Sequence, residues 1–246
     1  MRRIGLALLL LMGALESQAG AQTRVDLELV LLADASRSID DGEIRFQRQG
    51  YAAAITHPDV LAVIAQGYEQ RIAVTYVEWG DAASQDVVVP WTVVDGLDSA
   101  AAFAERLLAA PRRATGPNAI GSALAAAQAL IAGGEIEGTR KVIDFSADSA
   151  FSVGGVPIAQ ARAAALAAGI TINGLAILCR DCASGRPIDY DLESAFEALV
   201  VGGDGHFVVT ADGDARFAAA VRRKLILEIA GRTKQTTPKF AMRRYY

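Results

Sequence analysis

Residues 25–38 read VDLELVLLADASRS, and this stretch decides the fold class. Val25 to Ala33 begins as an alternation of apolar and charged residues and then turns continuously apolar. That is the pattern of a strand entering a sheet covered on both faces. Asp34, Ser36 and Ser38 follow at two-residue spacing, and Asp40, Asp41 and Glu43 open an amphipathic segment that runs to Thr56. Acids in a first helical turn complement the helix dipole, and Asp40 and Glu43 stand at capping-box spacing. The first unit is therefore strand, oxygen-rich loop, helix.

The same alternation continues outward. After a short apolar segment, Pro58–Ala65, strands are expected at Arg71–Trp79, Asp86–Trp91, Lys141–Ala147, Ile170–Leu178 and His206–Val209. Helices are expected at Asp98–Ala110, Asn118–Ala132, Ile158–Ala168, Asp191–Val200 and Ala215–Ala230, the last stopped by Gly231. Strands alternating with helices predict an α/β fold: a single doubly wound, Rossmann-like domain on a mostly parallel six-stranded sheet. The short Gly80–Ser84 linker predicts a hairpin, hence one antiparallel edge strand, where Pro90 is tolerated. No linker-like composition interrupts residues 25–231.

Composition excludes several classes. The 246 residues are 52% hydrophobic and 21% charged, enough apolar material for a packed core. A net charge of −4 without clustered Lys and Arg predicts no nucleic-acid partner. Two Cys and two His are too few for a disulfide framework, a Cys-based zinc site or a His-rich centre. Arg2 and Arg3, the apolar run Ile4–Leu15 and the small residues before Gln22 predict a Sec-type signal peptide over residues 1–21. The run is too short to span a bilayer, so a periplasmic or secreted protein without a transmembrane segment after cleavage is expected. The body, residues 22–231, ends in a basic tail, residues 232–246, with Arg232, Lys234, Lys239, Arg243, Arg244 and no acid. Such a tail is expected to be disordered, its lesser reading being contact with anionic lipid or an acidic partner.

In doubly wound sheets, ligands sit outside the carboxyl ends of the strands, where strand order reverses. Three loops stand there: Asp34 to Ser38; Asp148 and Ser149, after the strand ending at Ala147; and Thr115 to Asn118, opening a helix. Oxygen donors without His or thiolate suit a hard cation, Mg²⁺, Mn²⁺ or Ca²⁺. Few charges around the ion would leave it Lewis-acidic and open to a carboxylate from outside. Asp and Ser after a strand are also common N-caps. It is the joint occurrence of all three loops, in this element order, that argues for a site.

On these residues the chain resembles the von Willebrand factor type A (vWA) domain over nearly all of residues 25–231. Asp34, Ser36 and Ser38 match that family's D-x-S-x-S metal-ion-dependent adhesion site (MIDAS). The first helix, with Arg45 to Ala54, and the last, from Phe217 to Ala230, resemble a bacterial exported branch of uncharacterised function. The resemblance implies that Ser36 and Ser38 are direct ligands, that Asp34 and Asp148 act through water, and that a partner's acidic side chain completes the coordination. One position departs from the pattern. The second loop normally supplies a Thr three residues before the Gly of the helix, and counting back from Gly121 gives Asn118, with Thr115 three further upstream. An Asn carbonyl oxygen can ligate Mg²⁺ or Ca²⁺, which places Asn118 ahead of Thr115; the alternatives are that Thr115 swings in or that metal binding is weakened. Ser149 also replaces the common Gly after Asp148.

Other residues take plainer expectations. Asp144 lies on the face of Asp148 but roughly 13 Å from the strand end, at 3.3 Å per residue, so a structural pairing is expected. Cys179 and Cys182 precede turn-forming residues, and an exported protein would close them into a small structural disulfide. His57 and His206 are expected to serve packing or solvent. The expectation is a non-enzymatic binding module. Its rivals are a metal-dependent hydrolase or phosphotransferase, and a structural domain with a degenerate metal site. Absence of G-x-S-x-G, Walker and G-x-G-x-x-G motifs removes the commoner α/β enzyme readings.

Overall fold

Strand β1 (Thr23–Asp34) is buried at every residue from Leu27 onward, as a strand covered on both faces must be. A computed structural model describes residues 22–134, 136–178 and 190–231. The proposed signal peptide, the Cys179–Cys182 pair and the basic tail lie outside the described residues. After β1 come α1 (Asp41–Ile55), α2 (Pro58–Ile64), β2 (Ile72–Trp79), β3 (Gln85–Val94), α3 (Leu97–Ala109), α4 (Ile120–Ala132), β4 (Ile136–Ala147), α5 (Ile158–Ala167), β5 (Thr171–Leu178), α6 (Leu192–Leu199), β6 (Val208–Asp212) and α7 (Asp214–Ala230).

The six strands form one sheet in the order β3-β2-β1-β4-β5-β6. Every pairing is parallel except β2 with β3, the antiparallel edge. The chain winds outward from β1 to β3, then returns to β4 on the other side of β1. The reversal opens a crevice between the carboxyl ends of β1 and β4. Alternate residues of β1 feed two cores. Leu27, Leu29 and Leu31 meet Tyr51, Tyr76, Phe103 and Phe217 on one face, and Val30 and Leu32 meet Trp79, Phe145 and Phe196 on the other.

Local chemistry sets the helix starts. Asp40 caps α1 by accepting from Glu43 N at 2.8 Å, while Asp40 N donates to Glu43 Oε2 at 2.7 Å, the reciprocal capping box. The segment after it is a helix, α2, with Pro58 in its first turn and His57 as N-cap, whose Nδ1 accepts from Asp59 N at 3.1 Å. His57 is therefore a capping residue.

Three strands differ from the sequence reading. β4 begins five residues earlier than Lys141, because Thr23 to Val25 of β1 pair with Ile136 to Gly138. Its polar beginning has partners from elsewhere in the chain: Gly138 N donates to the buried Glu28 at 2.7 Å, and Arg140 donates to the carbonyls of Glu228 and Ile229 at the end of α7. β3 extends to Val94. β6 lies at Val208–Asp212 rather than His206–Val209, since pairing with Gly174–Leu178 of β5 carries the strand on through the polar Thr210 and Asp212.

Asp144 is paired structurally. Lys224 of α7, fully buried, places Nζ 2.6 Å from Asp144 Oδ1 and 2.5 Å from Glu228 Oε1, and Asn173 Nδ2 donates to the same Glu228 oxygen at 3.1 Å. Burial, with Asp144 nearby, pushes the Glu228 carboxyl up to about 8 against the pull of Lys224. One ammonium thus serves two buried carboxyl groups. Replacing Lys224 by Met should cost roughly 3–5 kcal/mol, because two acids are left facing each other without a cation. Adding Asp144→Asn and Glu228→Gln should restore most of that loss. Urea unfolding of the single and triple variants, followed by circular dichroism, measures both.

Candidate metal centre

Of the residues singled out from the three loops, all but Thr115 lie at the β1/β4 crevice. Asp34, the last residue of β1, is fully buried, and its Oδ1 accepts from Ser36 N at 2.8 Å. That bond folds the loop so that Ser36 Oγ and Ser38 Oγ lie 3.2 Å apart. Ser36 is buried and Ser38 exposed, so the hydroxyls step from floor to rim. Asp148, just after β4, lies near enough for its charge to raise Asp34, while the Ser38 hydroxyl acts to lower Asp148. Asn118 enters from the α3–α4 loop, its Nδ2 donating to Ser149 Oγ at 2.7 Å.

Three acceptors in this crevice are buried and, among the described residues, have no hydrogen-bond partner: Asp34 Oδ2, Asn118 Oδ1 and Asp148 Oδ1. Buried lone pairs of this kind are costly unless a donor or a cation meets them. The donor set, two carboxylates, two hydroxyls and an amide oxygen, fits a hard divalent ion in chemistry and in its unmet lone pairs. Among the described residues no three His, Cys, Asp or Glu side chains gather as a metal cluster. The site's capacity for an ion rests on neutral oxygens beside a carboxylate pair.

Thr115 is placed differently. Its N–H donates to Ser84 Oγ at 3.0 Å, its carbonyl accepts from Asp81 N at 3.2 Å, and the residue is exposed. Its backbone is held by the β2–β3 hairpin, where a Cβ on Gly80 would stand 2.2 Å from Thr115 O. Of the two candidates in the second loop, Asn118 carries the buried orphan oxygen.

Sequence reasoning missed Arg112. Its guanidinium donates to Ala35 O at 2.9 Å and Ser36 O at 3.3 Å, and pairs with Asp41 at 2.9 Å. It thereby clamps the D-x-S-x-S backbone from the α3–α4 loop. The basic Arg112-Arg113 pair was visible, but nothing in the linear spacing says which loop it faces. Gln47 of α1 adds a buried contact, Nε2 to Asp34 O at 3.3 Å. His57 and His206 lie elsewhere, before α2 and before β6.

The electrostatics of the crevice are those of buried acids close to one another. Burial, then the charge of Asp148, raises Asp34 from 3.8 to about 7, and burial raises Asp148 as well. The folded value of Asp34 exceeds its unfolded one, so its contribution to stability is complete below its ordinary range and is lost as pH rises toward 7. In chelator, the melting temperature should therefore fall by roughly 5 °C or more between about pH 5 and about pH 8. Asp34→Asn should flatten that slope, leaving the parts of the same sign contributed by Glu228, Asp148 and Glu28. A calorimetric pH series decides, and an unchanged slope in the variant would show that Asp34 is already ionised.

Comparison with known structures gives the fold. Proximal thread matrix protein 1 from the mussel byssus is similar at TM-score 0.59 and 16% identity, over 85% of this chain and 49% of that one. A structure of the same mussel protein carries a zinc-occupied MIDAS motif, at TM-score 0.58 with the same identity and coverage. The pilus adhesin SpaC of Lactobacillus rhamnosus GG is similar at TM-score 0.59 and 13% identity, over 83% of this chain and 30% of that one. A von Willebrand factor type A protein from Catenulispora acidiphila gives TM-score 0.53 and 16% identity, over 83% and 43%. The chain thus spans half or less of each of these relatives. No curated protein sequence matches it. The fold is that of the vWA domain, and by a match over residues 24–233 the chain belongs to the family described as protein of unknown function (DUF1194).

Proposed function

We propose that this protein is an exported, non-enzymatic binding module in which a divalent cation, Mg²⁺ first and Mn²⁺ or Ca²⁺ as alternatives, links the β1/β4 crevice to an acidic side chain of a protein partner. The observation that carries the reading is the set of three buried orphan oxygens, Asp34 Oδ2, Asn118 Oδ1 and Asp148 Oδ1, beside the paired hydroxyls of Ser36 and Ser38. A cation there would satisfy the lone pairs and remove the repulsion between the two acids. When bound, it would supply a Lewis-acidic position facing outward. The chain's own residues orient it: Asp34 and Asp148 provide charge, the two serines and Asn118 provide neutral oxygens, and Arg112 fixes the loop.

The zinc-occupied site of the mussel protein supports the capacity of this fold for a divalent ion. SpaC is named a pilus adhesin, which supports a binding role on a shared fold without fixing the partner. Export rests on the basic and apolar start of the sequence; among the described residues no helix is long and apolar enough to cross a membrane.

Calorimetry tests the metal. The intact protein should give saturable heat with Mg²⁺ or Mn²⁺, and Ser36→Ala with Ser38→Ala should abolish it; identical heats would remove the claim. The second loop is tested separately. Asn118→Ala should weaken the cation roughly tenfold or more, about 1.4 kcal/mol, whereas Thr115→Ala should leave it unchanged.

A further inference from the structure

Most large apolar side chains left in solvent are scattered singly: Tyr68 before β2, Leu97 and Leu108 on α3, Leu199 at the end of α6. Isolated exposures of this kind are ordinary. Three others gather at one place, two in the loop between β4 and α5 and one, Tyr190, just before α6 and bonded to that loop. Phe151 is 70% exposed, Val153 43%, and Tyr190, whose hydroxyl accepts from Ala150 N at 3.0 Å, is 43% exposed.

This loop is clamped along its length. Asn118 Nδ2 reaches Ser149 Oγ, Ile120 N donates to Ser152 Oγ at 3.1 Å, Val153 N donates to Asn118 O at 2.5 Å, and Val156 N donates to Ser122 Oγ at 3.1 Å. The fit is close enough that a Cβ on Gly121 would lie 2.0 Å from Val156 O. Hydrogen bonds on both sides of Phe151 and Val153 fix the backbone while the two side chains project outward. A fixed apolar surface binds without the entropic cost of ordering a mobile one. It also begins within three residues of Asp148 and touches Asn118, two members of the candidate site.

We propose that Phe151, Val153 and Tyr190 form an apolar shelf beside the cation position that selects partner segments in which the metal-binding carboxylate is flanked by aliphatic residues. The inference rests on the function proposed above: the cation supplies the charge complementary to the carboxylate, and the shelf supplies the choice among acidic segments.

Two fluorescein-labelled peptides probe it, Gly-Gly-Glu-Gly-Gly and Gly-Leu-Glu-Leu-Gly, titrated with the intact protein by anisotropy in excess Mg²⁺ and again in chelator. The leucine peptide should bind roughly tenfold more tightly, in a chelator-sensitive way. Phe151→Ser with Val153→Ser should abolish that preference without changing the Mg²⁺ heat. Equal, chelator-sensitive affinities for the two peptides overturn the shelf and leave the metal site standing. A preference that survives in the double variant also overturns it. Absence of chelator-sensitive binding by either peptide overturns it too, and the Mg²⁺ calorimetry then decides whether the metal reading falls with it.

Discussion

Two carboxylates, Asp34 and Asp148, stand at the ends of adjacent parallel strands in a crevice dry enough to hold both above their ordinary pKa range. The rest of the site is arranged around that repulsion. Covering the sheet on both faces buries β1 to its last residue, and strand order reverses beside it, so among the described residues the second oxygen of Asp34 meets no hydrogen-bond donor. The surrounding groups relieve the charge only in part. Ser36 N donates to one oxygen of Asp34 at 2.8 Å, and the Ser38 hydroxyl pulls the Asp148 carboxyl downward against burial.

Holding such a pair requires loops that cannot drift apart, and the chain supplies cross-braces from distant elements. Arg112 grips the carbonyls after β1. Arg48 of α1 forms a bidentate pair with Glu78 of β2, at 2.7 and 2.9 Å, and also donates to the carbonyls of Ala110 and Pro111 at the start of the α3–α4 loop. That loop is tied in turn to the D-x-S-x-S segment by Arg37 N donating to Gly116 O at 2.9 Å. A close approach of Gly80 to Thr115 seats the middle of that loop, and one of Gly121 to Val156 seats the start of α4. Preorganised oxygens of this kind bind an ion without first being gathered.

A second buried charge cluster lies under the same face of β4, where Lys224 meets Asp144 and Glu228. Here the chain provides its own cation, and the acids have a partner from α7. The contrast with the crevice is informative. Two acids deep in the fold are matched by a lysine four residues from one of them in sequence, while among the described residues no cation pairs with the two at the strand ends.

Much of this was legible in the sequence. The apolar run of β1, the capping box at Asp40, the hairpin around Gly80 and the alternation of strands and helices are local patterns with local causes, and they determined the fold class, the antiparallel edge and the loops where a site would lie. The chemistry of those loops, oxygen donors without nitrogen or sulfur, was equally plain. What only the tertiary structure decided was pairing at a distance: the early start of β4 against Thr23–Val25, the shift of β6 along β5, the lysine that answers Asp144, and the arginine that clamps Ala35 and Ser36. Each depends on which segments become neighbours after folding, and a side chain's partner across the sheet leaves no period or spacing in the linear chain.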